Sequence, residues 1–166
     1  MRAKKILIII DILLILATIV FIISNSATTS EKSNNKSESV TDRVVENVKP
    51  LKDAIEQEKV DKEDVHKGIR KMAHFLEYAL LGVELMALLL MVFPVDPMKY
   101  LIYILFFGLA LGVCDESVQK LTDRTSSTTD VMIDFGGLCI GIAFAYFAFA
   151  AVRAIIKKKA NKKEAS

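Results

Sequence analysis

The chain has 166 residues, 52% of them hydrophobic and 25% charged, with a net charge of +2. With a mean hydropathy of +0.38, it is more apolar than a soluble domain of this size and reads as one small membrane protein. Its basic residues form no stripe interleaved with aromatics, which excludes a nucleic-acid partner.

Four apolar stretches, Ile6 to Ile23, Met72 to Phe93, Met98 to Val118 and Val131 to Val152, are each about long enough to cross a ~30 Å hydrocarbon core as a helix. The predicted fold class is an all-α membrane protein: four transmembrane helices, with an exported helical segment between the first and second. Residues 1–24 form the first helix. Its basic start, apolar run and following "SNSA" also fit a cleaved signal peptide, but the length of the run and Asp11 inside it favour a retained helix.

Residues 25–70 form the exported segment. Ser26 to Ser39, rich in Ser, Thr, Asn, Lys and Glu, predict a solvated linker. Val40, Val44, Val45 and Val48 before Pro50, then Leu51, Ala54 and Ile55 after it, recur at helical spacing and predict two short amphipathic helices. These serve either as a solvated stalk or as a cap over the membrane domain.

Residues 71–152 form a three-helix membrane core. Pro94, Asp96 and Pro97 break the helical pattern and make the second and third spans a hairpin. Gly108 with Gly112, and Gly137 with Gly141, are small-xxx-small pairs that allow close helix approach. Cys114 and Cys139 lie at different depths, which predicts no disulfide. Residues 153–166 are a basic tail suited to anionic lipid.

Arg2, Lys4 and Lys5 precede the first span, while Arg153 and five lysines follow the last. The positive-inside rule therefore places both termini in the cytoplasm, and the expected location is the plasma membrane. In that topology three helices bring polar residues to one level of the outer leaflet: His74 and Glu77, then Asp115, Glu116 and Gln119, then Asp130 and Asp134.

Residues three or four apart share a helix face. That groups His74 with Glu77 and Tyr78, Glu116 with Gln119, and Asp130 with Asp134, the last on the face that carries Gly137 and Gly141. Ionisable residues in membrane segments are functional suspects. Bland roles exist for each: a first-turn pair for His74 and Glu77, the wet end of a span for Asp115 and Glu116, and an N-cap for Asp130. Asp134 lies a turn deeper than a cap. Arg124 in the preceding loop, with Arg70 and Lys71 at the head of the second span, can offset the carboxylates. Glu84 lies seven residues after Glu77, ~10 Å deeper; it either bonds to a neighbouring helix or extends the polar cluster inward, with Asp11 as a counterpart.

The blocks "IRKMAHFLEYALLG" (69–82), "DESVQ" (115–119), Arg124 and "DVMIDFGG" (130–137) come in an order and spacing that resembles the VanZ-like membrane proteins. The resemblance covers about residues 6 to 152. It implies a four-helix membrane domain linked to reduced susceptibility to the glycopeptide teicoplanin. Its matching polar residues here are His74, Glu77, Tyr78, Asp115, Glu116, Gln119, Arg124, Asp130 and Asp134. Asp123 departs from the pattern, which usually has glycine before the arginine.

Three functions fit such a cluster. It binds a polar lipid or lipid-linked cell-wall precursor, with Arg124 on phosphate and the carboxylates on sugar or amine groups. It is a membrane-embedded hydrolase or transferase acting on such a molecule. Or it only staples helices together. No cofactor is identified, although carboxylates and a histidine from different helices are able to hold a divalent metal.

Overall fold

The computed structural model describes residues 2–27, 30–56, 61–121 and 127–164, which fold into helices without a strand among them. They form α1 (Arg2–Ser26), α2 (Ser30–Asn47), α3 (Lys49–Glu56), α4 (Lys62–Val92), a 3-10 turn (Pro97–Tyr100), α5 (Leu101–Leu121) and α6 (Thr128–Glu164). Four of these, α1, α4, α5 joined to its 3-10 turn, and α6, are long and apolar enough to cross a membrane. The protein is an all-α membrane protein. Apolar side chains such as Leu13, Phe106 and Phe144 stand exposed around the outside of the bundle, where a bilayer would cover them.

α1 buries a single stripe, Asp11, Ile15, Thr18, Ile22 and Ser26, with the spacing of one helix face. That stripe packs against α4 and α5, so the first helix is a structural part of the bundle. Within it, the Thr18 hydroxyl donates to Glu84 Oε1 of α4 at 3.0 Å. Glu84 is 9% exposed, and its bond to a neighbouring helix is the first of its two predicted roles. Thr18→Val leaves this buried carboxyl without its donor, which costs about 1–3 kcal/mol. Thermal unfolding in detergent will report the loss, and adding Glu84→Leu will largely restore stability because both polar partners are then gone.

The closest packing joins α4 to α6. An added Cβ at Gly137 would collide with the Phe75 carbonyl, one at Gly141 with the Ala79 carbonyl, and one at Gly82 with the Leu138 carbonyl. The helices therefore cross at backbone contact, which only glycine permits. Gly108 of α5 faces the Leu138 side chain, and Gly112 lies beside Tyr78 and Val131. Although α4 and α5 are sequential, α5 packs more on α6 and α1 than on α4. The turn between them is held by Phe93 stacked on Tyr100, with ring centroids 3.8 Å apart.

Two sequence expectations shift. α2 starts at Ser30, inside the stretch expected to be a linker; its Lys and Glu residues are good helix formers, and solvated composition does not forbid a helix. The face of α2 that meets α4 centres on the fully buried Thr41, whose hydroxyl is 3.4 Å from His66 Nδ1. Nearby, Lys62 pairs with Asp42 at 2.7 Å. α4 starts ten residues before Met72, at Lys62, because Asp61 caps it by accepting from the Glu63 N–H at 2.9 Å. Cys114 and Cys139 are free thiols, as expected.

Candidate functional site

The end of α1, the first half of α4, the end of α5 and the start of α6 meet at one end of the bundle. Each contributes polar residues because the helix spacing that places its apolar face in the core carries them along. On α4, His74 Nδ1 lies 3.4 Å from Glu77 Oε2, and both side chains are about five-sixths buried. Glu77 Oε1 accepts from the Asn25 amide of α1 at 2.9 Å. Tyr78 is fully buried one residue further on.

On α5, Asp115 is fully buried. Its Oδ2 accepts from Gln119 Nε2 at 3.1 Å, and its carboxylate also accepts from the Ser26 hydroxyl. The Gln119 amide lies 3.4 Å from Ser26 Oγ as well. Glu77 and Asp115 are thus both bonded to the last turn of α1. The sequence marks the polar exit of the first helix, but helical spacing assigns Asn25 and Ser26 no role at the site. The signal for them is the α1 stripe, which ends on Ser26.

On α6, the cap is Ser127 and not Asp130. The Thr129 N–H donates to Ser127 Oγ at 3.2 Å, and the Asp130 N–H donates to Ser127 O at 2.9 Å. Asp130 sits inside the first turn, where a negative charge complements the helix dipole. Its carboxylate pairs with Lys71 Nζ of α4 at 2.7 Å. Asp134, one turn deeper, is 2% exposed.

Between α4, α5 and α6 lies a pocket of about 230 Å³. Its walls carry both signs of charge. Lys67, Arg70 and Lys71 with Ser127 and Asp130 form the upper part, and His74, Glu116, Gln119 and Asp134 the lower. From Lys67 to His74 is seven helical residues, ~10 Å along α4. Five predicted residues, His74, Glu116, Gln119, Asp130 and Asp134, line the pocket, whereas Glu77, Tyr78 and Asp115 stand behind it. Arg124 lies outside the described residues.

Two of the pocket's upper cations are already paired, Lys67 with Glu63 at 2.9 Å and Lys71 with Asp130. Among the described residues Arg70 has no carboxylate partner, and its buried Nε has no hydrogen bond. In the lower part, Asp134 Oδ2 and Glu116 Oε2 are likewise buried without a partner among the described residues, as are Tyr78 OH and Asp115 Oδ1 behind them. Desolvated carboxylates and guanidinium nitrogens without partners are costly. No group of three or more His, Cys, Asp and Glu among the described residues is placed to hold a metal ion. The arrangement can receive an anionic group at Arg70 and a hydrogen-bond-donating or cationic group at Asp134 and Glu116.

Compared with known proteins, the chain matches the family model described as VanZ/LLP1 over residues 11–150. No curated protein and no solved structure matches the chain.

Proposed function

This chain belongs to the VanZ/LLP1 family, and from that premise we propose that it binds the polar headgroup of a lipid or lipid-linked cell-envelope molecule at the outer leaflet of the plasma membrane. Through that binding it contributes to tolerance of the glycopeptide teicoplanin. The observation that carries the reading is a set of oppositely charged groups in one pocket, Arg70 with Asp134 and Glu116, each with a buried atom that has no partner among the described residues. A phosphate suits the planar guanidinium fork, and an ammonium or sugar hydroxyl suits the carboxylates.

Size supports a headgroup as the occupant. About 230 Å³ falls below the ~300–1,000 Å³ of pockets that hold drug-sized ligands, so a whole glycopeptide does not enter. The outward orientation follows from the lysines and arginines at the two termini. A purely structural role suits Glu77 and Asp115, which have partners on α1, but leaves Asp134 and Glu116 without a purpose. An enzymatic reading rests on His74, which lines the pocket with Glu77 behind it as a general base with its orienting carboxylate.

The test is to purify wild-type protein and Asp134→Asn in native lipid and compare their bound species by mass spectrometry. Wild type will retain a phosphate-bearing envelope lipid, enriched over the bulk membrane, that the variant lacks. Identical lipid profiles contradict the reading, and a chemically altered product replaces binding by catalysis.

A further inference from the structure

Beside the polar pocket, and sharing Lys71 and Ile133 with it, lies a second depression of about 230 Å³, completed by Gly68, Met72 and Phe75. Its lining presents no polar surface, so Lys71 contributes only its aliphatic stem. It runs along the outside of the α4–α6 crossing, where Gly137 is pressed onto the Phe75 carbonyl, and Met72 on its wall is exposed. A polar pocket whose charges lack partners among the described residues thus adjoins an apolar groove on the surface that a bilayer covers.

We infer that this groove holds the hydrocarbon chain of the ligand, with the headgroup in the adjoining pocket on the other side of Lys71 and Ile133. The inference rests on the headgroup reading above and narrows it to an amphiphile held at both ends. Adjacency carries the assignment: a molecule with its phosphate at Arg70 and its amine or hydroxyl at Asp134 has Lys71 and Ile133 beside it, and the depression that these two residues share with the pocket has an apolar lining. A water-soluble sugar phosphate would leave this groove uncovered.

Gly68 makes the groove testable by itself. A Cβ there meets no heavy atom within 4 Å, so Gly68→Trp sets a bulky side chain into the groove from an unobstructed Cβ, and Gly68→Ala is a control that leaves it open. The probes are dihexanoyl phosphatidylethanolamine, used below its micelle concentration, and glycerophosphoethanolamine, which has the same headgroup and no chains. Binding to the full-length protein in detergent is measured by calorimetry.

Wild type and Gly68→Ala will bind the short-chain lipid at least tenfold more tightly than the chainless compound. Gly68→Trp will lose that tenfold advantage while keeping its affinity for glycerophosphoethanolamine, and Arg70→Gln will weaken both. Equal affinity of wild type for the two probes, or lipid binding unchanged in Gly68→Trp, overturns the groove assignment and leaves the headgroup reading intact. If Arg70→Gln changes neither probe's binding, the headgroup reading fails, and this inference with it.

Discussion

Gly141→Leu will prevent stable accumulation of the protein, whereas Gly136→Leu, five positions earlier on the same helix, will not. A Cβ at Gly141 overlaps the Ala79 carbonyl and approaches the Val83 nitrogen, while one at Gly136 meets nothing within 4 Å. Backbone cannot rotate aside as the end of a side chain can, so α4 and α6 must separate along their whole crossing. Ordinary overpacking costs about 1–3 kcal/mol; forcing backbone apart over three interlocked glycines costs more. That is a large share of the ~5–15 kcal/mol that holds a domain folded.

The measurement is the amount of protein in membranes and its melting temperature in detergent, with a drop of more than about 5 °C expected for Gly141→Leu. Gly108→Ala gives an intermediate result, because its added methyl meets the movable end of the Leu138 side chain. A wild-type melting temperature for Gly141→Leu would mean that the two helices do not cross this closely. The site depends on the same crossing: Asp134 lies three residues before Gly137 on α6, and His74 is the residue before Phe75 on α4, so separating the helices also opens the pocket.

Asp134→Asn has the opposite signature. The substitution keeps shape and removes a charge that is 2% exposed and has an oxygen without a partner among the described residues. Stability will therefore stay level or rise, since a desolvated charge is costly in the folded state. On the proposed function, lipid binding will fall at least about tenfold, equivalent to one hydrogen bond to a charged group, and the proposed teicoplanin tolerance will be lost with it. A gain in stability together with a loss of function is characteristic of a side chain retained for its site.

Glu77→Gln separates the two roles. Its carboxylate is bonded to Asn25 and faces His74, so removing its charge lowers stability by about 1 kcal/mol in addition to any effect on binding. Melting temperatures of the two variants, read beside lipid retention and teicoplanin susceptibility, check both expectations. If Asp134→Asn destabilises the protein and Glu77→Gln does not, the division of the cluster into pocket-facing and α1-bonded carboxylates is wrong.

The polar end of the bundle is largely legible in the amino-acid sequence. Helical spacing puts His74 with Glu77, and Glu116 with Gln119, on shared faces, and alternating spans bring those faces to one end. Asp130 resembles a cap because Asp is a common cap residue and the first apolar residue follows it directly. Ser127 performs that role instead, which leaves the Asp130 carboxylate for Lys71. The linker expected over Ser26 to Ser39 is in large part helical because composition reports solvation and only weakly reports backbone conformation. Asn25 and Ser26 escape a sequence reading because their partners lie 52 and 93 residues away, and local spacing carries no information at that range.

Hydropathy and helical periodicity by themselves determined that four helices can cross a bilayer and which residues lie at the same level, because both follow from rise per residue and from the transfer cost of side chains. Only the tertiary structure decided that α4 pairs most closely with α6, through glycines on both helices that meet backbone with backbone. It alone also decided which carboxylates have protein partners and which face a pocket without one. That division depends on the rotation of each helix about its axis, and side-chain packing between helices sets that rotation.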